Sequence, residues 1–127
     1  MEFITKKVRR GIGILSRLRH FVDQSVLLKL YYALIYPFLI YGITVWGSTY
    51  KSTLKPVFIL QKKAMRIITF SKFDCHSSPL FKSLQIIKFF DLILFHIAIF
   101  VYKCHNNLLP VTFHSYLSLD CVTPFDL

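Results

Sequence analysis

The chain has 127 residues, a length that suits one domain. Its residues are 54 % hydrophobic and only 17 % charged, against about 25 % charged in ordinary soluble domains, which excludes intrinsic disorder as the main reading. Sixteen Lys and Arg against six Asp and Glu give a net charge of +10, which points to a polyanion, either nucleic acid or an anionic membrane surface.

The acids argue against catalysis. Glu2, Asp23, Asp74, Asp91, Asp120 and Asp126 are scattered, and the closest two stand six positions apart. A two-metal polymerase or nuclease needs several carboxylates converging on Mg²⁺. No enzyme activity is expected on this count. Three cysteines (Cys75, Cys104, Cys121) cannot all pair. With no signal peptide they read as reduced intracellular thiols. Cys75-His76 and Cys104-His105 are adjacent pairs, with His114 and Cys121 further on. Direct adjacency is poor spacing for one zinc ion, so no metal or other cofactor is expected.

The first predicted helix runs from about Lys6 to Val22. Val8, Ile12, Leu15, Leu18 and Val22 share one side; Lys6, Lys7, Arg9, Arg10 and Arg17 fall on the other. Gly11 and Gly13 weaken this helix, or else permit close backbone approach. A second helix is predicted from Val26 to Trp46, with Ser25 as N-cap. It is apolar all round apart from Lys29, so it is either a buried central helix or a membrane span. Pro37 should kink it or end it early.

A third helix, Leu54 to Phe70, follows Ser52-Thr53, with Pro56 in its first turn. Lys51, Lys55, Lys62 and Arg66 line one stripe; Leu54, Val57, Ala64 and Ile68 face the core side. Ser78-Pro79 starts a short helix to about Leu84. Asp91 caps a last helix reaching Tyr102 to His105, and Asn106-Asn107 ends it. His96, inside that apolar helix, reads as a core histidine bonded to a backbone carbonyl. The tail from Val111 to Leu127 has no period; Val111–Phe113 reads as extended, and Phe113, Tyr116, Leu117 and Leu119 could dock on the helices.

Taken together, several runs resemble a known family. They are KKVRRGIGILSRLRHFV, Tyr41-Gly42…Trp46-Gly47, Leu60-Gln61-Lys62-Lys63-Ala64…Arg66-Ile67-Ile68, SPLFKSLQIIKFFDL and Tyr102…Asn106-Asn107-Leu108-Leu109-Pro110. Over about Lys6 to Pro110 the chain resembles the post-palm region, thumb and beyond, of the reverse transcriptase of LINE-type (jockey-like) non-LTR retrotransposons. The resemblance implies a helical unit beside a primer–template duplex, in the nucleus, packed against a palm. The family's aromatic-x-Asp-Asp turn has no counterpart here, since the sequence contains no Asp-Asp. No catalytic residue carries over.

The expected architecture is therefore all-α. Four to five helices surround the central apolar helix over 1–110, followed by an irregular tail over 111–127. The expected function is non-catalytic binding of RNA or DNA backbone by Lys6, Lys7, Arg9, Arg10, Lys51, Lys55, Lys62, Lys63 and Arg66. The alternative is a small membrane protein with one span near 26–47. Against it stand Lys29, Pro37 and basic residues on both flanks.

Overall fold

A computed structural model describes residues 1–113. The all-α class is what the chain adopts: seven helices, with no strand among the described residues. These are α1 (Glu2–Leu18), α2 (Gln24–Leu34), α3 (Tyr36–Ile40), α4 (Ile43–Trp46), α5 (Lys51–Ile68), α6 (Ser78–Leu84) and α7 (Phe89–His105). Met1–Ile93 forms one compact unit, and a second begins at Leu94. The boundary between the units falls inside α7.

The expected single helix over Val26–Trp46 is corrected to three. Pro37 has no amide hydrogen, and its ring crowds the carbonyl four residues back. Accordingly α2 stops at Leu34, and α3 resumes after Ile35 with Pro37 in its first turn. The second break was not anticipated. Gly42 takes a left-handed conformation at φ +62°, which a residue with a Cβ adopts only at a cost. The indole Nε1 of Trp46 donates to the Tyr41 carbonyl at 2.6 Å and closes this turn. The Tyr41-Gly42…Trp46 pattern is thus a break between α3 and α4 rather than a helix interior.

Nor is this stretch buried on all sides. Leu27, Tyr31, Ile35, Leu39 and Ile43, spaced by four, are sealed. Each such side chain contributes about 2 kcal/mol of apolar burial. Tyr32, Tyr41 and Val45 are exposed, Val45 at 81 %. The stretch is one wall of the unit, while α1 touches α2, α3 and α5. Gly11 permits this: a Cβ there would come within 2.8 Å of Ile35 Cγ1 and 3.3 Å of the Leu34 carbonyl oxygen. Gly13 faces open space.

The core faces of α1 and α5 match their periodicity. Val8, Ile12 and Leu15 are buried, with Ile4 added, and so are Leu54, Val57, Ala64 and Ile68. Leu18 and Val22 are half-buried. The helix starts differ from expectation. Asp23, not Ser25, occupies the N-cap of α2, and the Ser25 hydroxyl donates to its carboxylate at 3.0 Å. Helix α5 starts at Lys51, so Pro56 lies in the second turn. Ser77 rather than Ser78 is the N-cap of α6.

One buried polar residue joins three segments. Gln61, fully buried on α5, donates from Nε2 to the Tyr31 hydroxyl at 3.1 Å and to the Ile87 carbonyl at 3.0 Å. Its Oε1 accepts the Phe89 amide at 2.8 Å. That amide opens α7, where no intrahelical acceptor exists. The start of α7 is therefore capped across the fold, and Asp91 stands in the first turn rather than at the cap.

Helix α7 is closed beyond His105 by a Schellman cap, in which Asn107 has a φ of +54° and the Leu108 amide bonds the Lys103 carbonyl. This is the stop that Asn106-Asn107 signalled. Residues 111–113 are helical, not extended, with the Phe113 amide on the Pro110 carbonyl. Phe113 is 47 % exposed. His114, Tyr116, Leu117, Leu119 and Cys121 lie outside the described residues.

Among the described residues no single helix is long and apolar enough to cross a membrane. Helices α6 and α7 meet that length and composition only when taken together across their bend. The proposed span near 26–47 corresponds to a wall that is interrupted at Ile35 and again at Tyr41-Gly42.

Candidate nucleic-acid interface

Helices α1 and α5 run parallel. Glu2, Thr5 and Lys6 line a depression with Thr53 and Pro56. One and two turns on, Arg9, Ile12 and Ser16 line another with Leu60 and Lys63. Beyond both, the Arg19 guanidinium lies over the Phe70 ring, 5.6 Å from its centroid. Position matches position from first turn to last, and the two depressions share Arg9. Together they make a furrow between the helices.

Four of the nine basic residues singled out by sequence border this furrow: Lys6, Arg9 and Arg10 from α1, and Lys63 from α5. All four are exposed. Apolar Met1, Ile12, Pro56 and Leu60, together with Gly13, Thr5, Ser16 and Thr53, complete the lining; the Thr5 hydroxyl donates to the Met1 carbonyl at 3.0 Å. Glu2 is its only carboxylate. Parallel helices also place both positive dipole ends at the Glu2/Lys51 end of the furrow. Such a channel attracts anions and offers several donors to phosphate oxygens.

The other five basic residues do not join this surface. On the α5 wheel Lys51, Lys55, Lys62 and Arg66 form a stripe centred about a quarter-turn from Lys63, on the side away from the furrow residues Thr53, Pro56 and Leu60. Lys51 and Lys55 are exposed there. Lys62 is half-buried, with Nζ 4.4 Å from the Phe58 ring centroid, and that ring meets Phe81 and Phe90. Arg66 donates from Nε to the Cys75 carbonyl at 2.9 Å, holding the 69–77 loop. Lys7 reaches the rings of Phe3 and Phe38, at 5.4 Å and 5.9 Å. Lys7, Lys62 and Arg66 thus have aromatic or backbone partners within the protein and stand apart from the furrow. A helical wheel assigns faces correctly, but it cannot say which basic face meets a neighbouring helix.

No group of three or more metal-ligating side chains comes together among the described residues. Cys75 and Cys104 are free thiols. His96 departs from expectation: its Nε2 is buried and finds no hydrogen-bond partner, and its ring packs edge-on against Phe95. The hydroxyls along the furrow were not foreseen as site elements, and the sequence did not single out Phe70 and Phe73 among its aromatics. Compared with family models, curated proteins and solved structures, the chain matches none.

Proposed function

We propose that this chain is a non-catalytic helical part of a retrotransposon RNA-directed DNA polymerase, corresponding to the region after the palm, and that it holds nucleic-acid backbone along the α1/α5 furrow. The reading draws on the sequence resemblance described above and on the net charge of +10. The observation that carries it is the alignment of Lys6, Arg9, Arg10 and Lys63 along one channel with a single carboxylate. Cations that neutralise phosphates release condensed counterions, so binding weakens as salt rises. The cations of the furrow suit phosphate contacts, which position a duplex without reading its sequence. On this reading the polymerase palm is the protein partner.

Fluorescence anisotropy with a labelled blunt duplex tests the furrow. Four phosphate contacts predict a slope of log K against log salt of about −3.6. Substituting Arg9→Gln and Lys63→Gln together lowers its magnitude by about 2, because each lost contact removes nearly one unit. Lys51→Gln with Lys55→Gln, on the other flank of α5, leaves it unchanged. An unaltered slope in the Arg9/Lys63 variant, or no duplex binding at low salt, overturns the assignment. Recovery of the chain in carbonate-washed membranes, with no duplex binding, favours the membrane alternative instead.

A further inference from the structure

At the far end of the same helix pair the chemistry changes from cations alone to cations paired with aromatic rings. Phe70 follows the end of α5 in a left-handed conformation at φ +56°, and the Ser71 amide bonds the Arg66 carbonyl behind it. Glycine or asparagine ordinarily fills that position, because a Cβ is strained there. Here a phenylalanine takes this conformation and is 47 % exposed. Its ring carries the Arg19 guanidinium. Three residues on, Phe73 is 80 % exposed, with the Arg66 guanidinium 6.0 Å from its centroid. Arg66 in turn ties the loop down through the Cys75 carbonyl. Phe70, Lys72, Asp74 and His76 line a cleft here against Pro79 and Leu80.

We propose that the 69–77 loop is a stacking site for unpaired nucleobases. Phe70 and Phe73 supply the ring faces, and Arg19, Lys72 and Arg66 supply positive charge for the adjoining phosphates. This inference rests on the nucleic-acid reading above, but on different residues. Exposed rings beside guanidinium groups are what single-strand binders use, because every base offers a π face whatever its sequence. Asp74 is the one acid in the cleft, against Lys72 and the two arginines nearby. The excess positive charge suits a phosphate chain rather than an apolar peptide. The furrow then takes paired backbone, and the loop takes bases that have left the duplex.

The full chain is titrated with a labelled oligothymidylate and, separately, with a blunt duplex of equal length. Phe73→Ala weakens single-strand binding about five-fold or more, the effect of losing one stacked base. Phe70→Gly does the same while raising the melting temperature, since it relieves the left-handed strain. That opposite sign separates loss of the ring from loss of the fold. Both variants bind the duplex as the parent does. Single-strand affinity that is unchanged in both variants overturns the stacking site, and the furrow stands if duplex binding persists. Single-strand binding that depends on Phe73 in a protein that does not bind duplex supports the loop and removes the furrow. Binding of neither nucleic acid overturns both.

Discussion

Gln61 Oε1 accepts the backbone amide of Phe89 across 28 positions of sequence, at 2.8 Å and away from water. A glutamine on one helix thereby does what a serine or aspartate does when it caps its own helix. It also fixes where α7 begins, since Nε2 of the same amide holds the carbonyl of Ile87. The amide group is used fully, with both donor hydrogens and its acceptor engaged.

Removing that side chain leaves the Phe89 amide, the Ile87 carbonyl and the Tyr31 hydroxyl without their partner. Each buried polar group so orphaned costs about 1–3 kcal/mol. Gln61→Leu fills the space but not the bonds, and is expected to destabilise the fold by about 3 kcal/mol or more. Urea denaturation followed by circular dichroism measures it. A loss below about 1 kcal/mol would show that the network is not a fastener.

Tyr31 gives the fold an alkaline limit. Burial pushes its phenol pKa well above the ordinary value, the nearby Tyr32 and Tyr36 add to the rise, and the bond from Gln61 opposes it. The neutral phenol is the form that the folded state retains. Its stabilising contribution is therefore complete below the unfolded pKa of about 10 and is lost as pH rises above it, by up to about 1.4 kcal/mol per pH unit. Tyr31→Phe removes this contribution. Between pH 9 and 11 the stability gap between parent and variant should shift in favour of the variant, as read by urea midpoints at each pH. Parallel pH profiles would contradict it.

Two glycines two positions apart, on opposite faces of α1, should respond with opposite signs. At Gly11 a methyl group meets Ile35 and the Leu34 carbonyl, so α1 and the α2–α3 wall must separate. Gly11→Ala is expected to cost about 1–3 kcal/mol, the range for overpacking. At Gly13 nothing lies within 4 Å, and Gly13→Ala should gain about 1 kcal/mol of helix propensity. Thermal melts of the two variants give the comparison directly. A stabilised Gly11→Ala protein would mean that the two walls do not meet there.

Periodicity sufficed for the helical class and for the inward faces of α1 and α5, because burial of an apolar stripe is decided by positions three and four apart. Local punctuation was likewise readable at Asn106-Asn107, where the left-handed cap sits. The Val26–Trp46 stretch was misjudged as one helix because its letters are apolar on every side. Composition there says nothing about which side is covered, and Gly42 acts through a backbone angle that only the turn with Trp46 selects. The resemblance pointed to Gln61 as part of a motif, yet its partners stand 26 to 30 positions away.

The nine basic residues show the same division. Their presence on exposed helix faces follows from local pattern, whereas their grouping depends on the parallel pairing of α1 with α5. That pairing brings Lys6, Arg9, Arg10 and Lys63 to one furrow and leaves Lys62 and Arg66 with aromatic and backbone partners. Sequence by itself determined that the chain is helical, basic and poor in carboxylates. Only tertiary structure decided which charges stand together, because charge grouping is a matter of distance between elements, and no local pattern encodes that distance.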